Sequence, residues 1–446
     1  MFKKDFKQSF SRIYFATVSC WLLISAIIFF SCSNEEESSP IEEDDTSDEV
    51  EYDFIDSNDT LNISICEAED IASAFMDGIA EYDNTQKASG IRHSMRKSSI
   101  VPDDNNEPVM YVVNFNPEGW CIVSATKKTQ SILAYSDEGK FDLNELNDGV
   151  YDWMCDKMEI IKYIRNFDKD GAMSPAIIRP QDNIDDRERY SNDNISTPVV
   201  AKPRVVKVCG PLLKTTWGQN FPYNYYCPDG GCSGNNQEGH KKTGCVAIAA
   251  AQIVRYWETA TTNYLWSDMP QNTDVSLKNL EGTYKKTSIK KYNGILSMAK
   301  LIHDIGVAVD MEYGCNGSSA KTKDIVDVLR KKFAFQSSGN YQKLNDSKAE
   351  NKIIENINAK QPVIIRGKEN LISIPNEGHA WICDGYKTLM SGASKSYLFH
   401  MNFGWNGTCN GWYTISLGLD ELDDKTSHAS TKYDNWRYYI TGIKGK

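Results

Sequence analysis

The sequence predicts an α+β body of two lobes, preceded by a smaller α+β unit. Three observations carry that prediction. After residue 205, apolar residues recur first at helical spacing and only later as short runs bounded by Gly and Asn. Helices first and strands later imply two lobes with a cleft where they meet. A Pro-, Asp- and Asn-rich stretch at 167–204 has no sustained apolar period, so it reads as a linker. It parts the body, 205–446, from an earlier unit, 61–166.

The earlier unit opens with a helical pattern at Ile71, Ala74, Phe75 and Ile79. Apolar runs at 109–115, 120–125 and 132–135 predict strands. Val150, Trp153, Met154, Met158, Ile161 and Ile164 then predict a helix over 150–165. His93 stands in a polar, Ser- and Lys-rich segment read as a loop. In the body, 243–257 predicts a strong helix, with Val246, Ala249, Ala250, Ile253, Val254 and Trp257 on one side and a high-propensity Ala run. Further helices are predicted at 294–305, 321–332 and 347–359, and strands at 362–366, 380–386, 396–403 and 411–416.

Ahead of both units lies an address. Lys3, Lys4, Lys7 and Arg12 precede an uncharged run, 13–30, and then Ser31-Cys32. A basic start, an apolar stretch and a small residue before the break form an export signal. Its end resembles a bacterial lipoprotein signal, which implies lipidation of Cys32. Phe29-Phe30 departs from the smaller aliphatic pair usual there, and an uncleaved anchor or a plain signal over 1–32 is the alternative. Residues 33–60 form an acidic tether with thirteen acids and no Lys or Arg, too poor in apolar surface to fold. Ser33-Asn34-Glu35-Glu36-Glu37 resembles the acidic start of lipoproteins displayed at the surface. An exported outer-membrane or cell-surface location is expected, with a membrane contact through the lipid. The net charge of −12 belongs largely to the tether, and the rest is close to neutral. No basic stripe exists to neutralise phosphates, so no nucleic-acid partner is expected.

Of twelve cysteines, Cys20 and Cys32 fall in the signal. Cys227 and Cys232 bracket a turn-rich Pro-Asp-Gly-Gly loop, which suits either a small disulfide or two free thiols. No paired C-x-x-C units with zinc spacing occur, so neither a metal nor another cofactor is expected.

Cys245 begins the Ala-rich helix. A thiol in the first turn faces the positive end of the helix dipole, which favours the nucleophilic thiolate. Gly244 before it permits a sharp turn and close approach of a substrate. Taken alone, a buried inert Cys is the safer reading, and a second group must change the odds. His379, led in by Gly378, opens a strand and can project into the cleft as general base and acid. His240 is the rival base; His400, between Phe399 and Met401, reads as a core His. Asn402, ending the next strand, is expected to orient His379. Phe403 and Trp405 follow it, and the Trp405 ring is expected to cover the pair. The Cys245 N–H and the Gln219 amide are candidate oxyanion donors.

The local sequences WGQ-x-x-PYN (217–224), TGCVA-x-A-x-AQI (243–253), GHA-x-x-x-DGY (378–386) and N-x-GW-x-G (402–407) resemble, in order, the streptopain family of bacterial cysteine peptidases. The resemblance implies a papain-like fold. Cys245 then matches the nucleophile, His379 the base, Gln219 the oxyanion-hole amide and Asn402 the residue that orients the His. Phe403 departs from the Trp often found there, and Ile248 from Thr. Residues 109–141 resemble the family's propeptide, which implies an inhibitory prodomain acting in cis and a cut near Lys202, Arg204 or Lys207. Protein or peptide substrates are implied, with an apolar residue two positions upstream of the scissile bond. The alternatives are a surface-displayed, non-catalytic binding or inhibitor protein of the same fold, and a papain-fold cell-wall amidase. Indifference to Cys245→Ala would mark the first, and a wall-peptide substrate the second.

Overall fold

A computed structural model describes residues 61–86, 94–167, 203–234, 236–367, 379–417 and 437–446. The expectations for the signal 1–32, Cys32, the tether 33–60, His93, Gly378 and nearly all of the linker fall outside these residues.

In the first unit, helix α1 (Ile65–Gln86) turns Ala68, Ala72, Phe75, Met76 and Ile79 inward. They meet Tyr111, Val113, Cys121 and Val123 in one apolar cluster. Those residues come from β2 (Pro108–Asn116) and β3 (Trp120–Ser124), which β1 (Ser94–Pro102) and β4 (Ile132–Ser136) flank in an antiparallel meander. Helix α2 (Asp148–Phe167) closes the unit. The segment read as a polar loop is thus partly the strand β1. Its side chains are mostly exposed because it is the sheet's edge, so it lacks an apolar alternation.

The body begins with β5 (Arg204–Cys209), whose first residue is the last of the expected linker, and a short hairpin of β6 (Asp229–Cys232) and β7 (Gly239–His240). Helices α3 (Cys245–Trp257), α4 (Ile289–Ala308) and α5 (Asp324–Lys331) build the first lobe around one apolar core. After β8 (Ser337–Leu344) and helix α6 (Asp346–Asn358) come β9 (Val363–Arg366), β10 (Ala380–Ser391), β11 (Ser394–Asn402), β12 (Gly411–Tyr413) and β13 (Arg437–Lys444).

The sequence units are not separate in the sheet. Among the described residues, one eleven-stranded sheet runs β1-β2-β3-β4-β12-β11-β10-β9-β13-β8, with β5 also on β10. The junction is β4 against β12, where Tyr135 opposes Trp412 and Ala134 opposes Tyr413. Val205, Leu389, Leu398 and Trp412 of the body join the apolar cluster under α1. A buried ionic cluster ties the units again: Arg437 on β13 meets Asp156 on α2, with Asp152 3.9 Å and Asp346 3.7 Å away.

Neither expectation for the Cys227/Cys232 pair holds. Cys232 is bonded to Cys315, 83 residues on, and Cys227 is a buried free thiol. The bond pins the β6–β7 hairpin to the loop after α4. Lys242, three residues before Cys245, donates to Gly314 and Asn316 carbonyls of that same loop.

Candidate active site

Helix α3 supplies the thiol. Gly244 precedes it at φ +87, a backbone conformation that suits glycine. A Cβ there would lie 2.7 Å from Met311 Sδ and 3.1 Å from Ser318 O. The glycine therefore lets the helix start against the loop that the disulfide holds. Behind Cys245, residues 246 to 254 are all buried, which makes the helix a fixed post.

The imidazole comes from His379, the residue immediately before β10, and it is buried. The Cys245 thiol and the His379 ring face each other closely enough to shift each other's titration. The Ala380 N–H donates to Cys245 Sγ at 3.4 Å. His379 Nε2 lies 3.1 Å from the Phe403 carbonyl. A carbonyl only accepts, so Nε2 carries a proton and Nδ1 is the nitrogen that exchanges one with the thiol. Trp381, two residues on and on the same strand face, stacks on His379 with centroids 6.1 Å apart and planes at 19°.

The electrostatics favour the ion pair. For Cys245, burial pushes the thiol pKa up, but the charge and hydrogen bond of His379 and the Ala380 N–H outweigh it, and the net direction is down. For His379, burial pushes down, yet the Cys245 thiolate, Asp148 and the Phe403 carbonyl together raise it. A thiolate facing an imidazolium, out of bulk water, is a nucleophile beside a proton donor.

Gln219 is buried, and its carbonyl accepts from the Thr243 N–H at 3.1 Å, two residues before Cys245. That main-chain bond brings the backbone of Gln219 beside the start of α3. Asn402 departs from its expected role. Its Nδ2 donates to Thr215 O at 2.7 Å and to Gln252 Oε1 at 3.3 Å, and its Oδ1 accepts from Gly404 N and Gln252 Nε2. The acceptor on His379 Nε2 is instead the main-chain carbonyl of the next residue. Trp405 also departs: its ring lies under Lys242 Nζ, 5.3 Å from the centroid, while Trp381 stacks on the imidazole and the buried Phe403 packs against Trp381. Ile248 sits where a Cβ on Gly404 would meet it at 2.9 Å, so it props the turn.

Two other histidines among the described residues are engaged elsewhere. His240 Nδ1 lies 2.9 Å from the Cys227 carbonyl, which removes the rival base. His400 Nδ1 lies 2.6 Å from Asp384 Oδ1, in keeping with its reading as a satisfied core residue.

The first unit reaches into this site. Asn147 caps α2 by accepting from the Val150 N–H at 3.0 Å. Asp148 and Gly149 follow, and Asp148 disfavours the Cys245 thiolate. A Cβ on Gly149 would lie 2.7 Å from both His379 Cδ2 and Phe403 Cδ1. Trp381, Gln252, Asp148 and Gly149 were missed in the sequence. Trp381 carried a readable signal in its two-residue spacing from His379 on a strand, and Gln252 stands inside the TGCVA-x-A-x-AQI motif.

Known proteins resemble both units. The sequence model of the Peptidase C10 family matches residues 217–413, and that of the Spi protease inhibitor matches residues 61–161. Streptopain of Streptococcus pyogenes is 25% identical over 427 residues, covering 88% of this chain and 94% of that protein. The thiol protease/hemagglutinin PrtT of Porphyromonas gingivalis is 22% identical over 363 residues, 73% of this chain and 36% of that one. A prointerpain A fragment from Prevotella intermedia has the same fold, with a TM-score of 0.52 and 21% identity over 79% of this chain and 99% of its own. The two family matches stand in the order of a propeptide and its enzyme, and the chain belongs to the streptopain family of cysteine peptidases.

Proposed function

We propose that Cys245 and His379 perform the peptide hydrolysis of this cysteine endopeptidase, and that α2 keeps the pair latent. The observation that carries the reading is the pairing of the half-buried thiol with a buried imidazole, with an N–H on the sulfur and a carbonyl on Nε2. The Cys245 thiolate attacks the scissile carbonyl. The oxyanion is held by the Cys245 N–H and the Gln219 amide. His379 gives its proton to the leaving amine, and a thioester remains. Water, deprotonated by His379, attacks the thioester and frees the acid. The group that orients His379 is the Phe403 carbonyl rather than Asn402.

Latency follows from the close approach of Gly149 to His379 and Phe403, which leaves no room there for a substrate. Release requires a cut in the linker. Arg204 already pairs with Met390 in the sheet, which supports a cut upstream of it rather than at Lys207. The export signal and lipidation at Cys32 belong to this proposal, which places the zymogen on a membrane facing its protein substrates. Export with Cys32→Ala tests the anchor: the protein then leaves the membrane fraction if lipid holds it.

The experiment for the mechanism pairs residues 33–446 as wild type and Cys245→Ala, followed by intact mass over time. Loss of the first unit in the wild type alone supports the reading. If both stay whole, added trypsin and then casein decide: silence in both defeats it.

A further inference from the structure

We propose that Gln252 is a positioning residue for catalysis, fixing the oxyanion segment and the His379-bearing side of the cleft against each other. It rests on the mechanism proposed above. Gln252 lies on α3 seven residues after Cys245, two turns on and therefore on the same helix face. Its side chain is fully buried.

The amide joins three separate parts of the chain. Gln252 Oε1 accepts from the Trp217 N–H at 3.2 Å, two residues before Gln219. The same oxygen accepts from Asn402 Nδ2 at 3.3 Å, while Gln252 Nε2 donates to Asn402 Oδ1 at 3.3 Å. Asn402 in turn holds Thr215 O through Nδ2 and the Gly404 N–H through Oδ1. Between Asn402 and Gly404 stands Phe403, whose carbonyl meets His379 Nε2.

The two amide orientations enforce each other. Trp217 N–H is only a donor, so the nearer Gln252 atom is oxygen. Thr215 O is only an acceptor, so the nearer Asn402 atom is nitrogen. The head-to-head pair then follows without conflict. One amide on the nucleophile's helix thus ties the loop that carries the oxyanion amide to the strand end that orients the base; without it Asn402 still holds Thr215 O and the Gly404 N–H, so the Trp217 N–H is the tie that is lost. Without it the Trp217 N–H is a buried donor with no acceptor, and the loop must shift to satisfy it.

The test uses full-length chains carrying Gln252→Met and Gln252→Glu, matured in trans by a tagged wild type that is then removed. Hydrolysis of a fluorogenic peptide and alkylation of Cys245 by iodoacetamide are measured against pH. Alkylation needs the thiolate but no oxyanion hole. For Gln252→Met the expected result is a kcat lower by ~10- to 100-fold, with KM and alkylation each within about threefold of wild type. Neutral Glu both donates and accepts, so Gln252→Glu should approach wild type at acid pH. It should lose kcat as pH rises and the buried carboxyl ionises against Asn402 Oδ1.

A merely structural role would lower hydrolysis and alkylation together and leave the Glu variant without that pH signature. Either that pattern, or unchanged kcat in Gln252→Met, overturns the inference. Wild-type hydrolysis that survives Cys245→Ala would instead defeat the underlying mechanism.

Discussion

Substituting Gly149 by Ala puts one methyl group where α2 touches the catalytic ring. The new Cβ would stand 2.7 Å from His379 Cδ2 and from Phe403 Cδ1, and 3.1 Å from Phe403 Cε1. Reaching ordinary contact near 3.4 Å needs a shift of about 0.7 Å. Both rings are buried, and Phe403 is itself packed edge-on against Tyr413 at 5.3 Å, so the prodomain must move rather than the rings. Overpacking of this kind costs about 1–3 kcal/mol. Ala in place of Gly in a helix returns up to ~1 kcal/mol, less in the first turn. The net is about 1–2 kcal/mol against docking, a factor of ~5–30 in the docked equilibrium. Gly78 on α1 provides the control: a Cβ there meets nothing within 4 Å, so Gly78→Ala only stabilises the helix. Intact mass of the full chain over time reports the lag before the prodomain is lost. Gly149→Ala should shorten that lag, and Gly78→Ala should leave it equal or longer. Equal lags for Gly149→Ala and wild type would refute the claim that α2 blocks the site at this point.

Three further outcomes follow from the same contacts. Asp148 raises both the Cys245 and the His379 pKa, so Asp148→Asn should lower both in the uncut chain; the rate of Cys245 alkylation against pH should then rise at lower pH than in wild type. Arg437→Met removes the buried cation shared by Asp152, Asp156 and Asp346, a loss of about 3–5 kcal/mol, read as a lower urea midpoint of the zymogen. Replacing both Cys232 and Cys315 by Ser reopens a loop of 83 residues, and up to ~4–5 kcal/mol of stability should go with it, measured by urea unfolding without reductant.

The sequence made some of this structure readable and hid the rest for physical reasons. Helix α3 was legible because its Ala run, its apolar spacing and the Gly before Cys245 agree. Cys245 and His379 were legible as a pair only through the order of four short motifs. β1 and β8 were not, because their Ser-, Lys- and Asn-rich sequences present mostly partly buried or exposed side chains. Such strands take their form from a partner's hydrogen bonds, which leave no trace in their own apolar pattern. The Cys232–Cys315 bond joins residues far apart in sequence, and pairing over such distances is not encoded in spacing. Asn402 illustrates a finer limit. Motif order set it on the strand beside β10, but which acceptor faces Nε2 depends on a main-chain turn, and the turn gives that place to the Phe403 carbonyl.

The shared sheet changes what activation must accomplish. A cut in the linker breaks one peptide bond, yet β4 remains paired with β12, and Val205, Leu389 and Trp412 remain in the prodomain's apolar cluster. The Arg437 cluster also stays intact, because none of its members lies in the linker. What the cut changes is the effective concentration of the prodomain, from an intramolecular value to that of a free partner. Latency is therefore held by the same burial and pairing that stabilise the body. Each contact that tightens the zymogen is one that dissociation must later undo. The blocking residues Asp148 and Gly149 sit at the N-terminal end of α2, and two of the aspartates that meet Arg437, Asp152 and Asp156, lie one to two turns further along the same helix. A single rigid element thus couples the ionic cluster to the active site. Loosening its charged grip and clearing His379 are one motion rather than two.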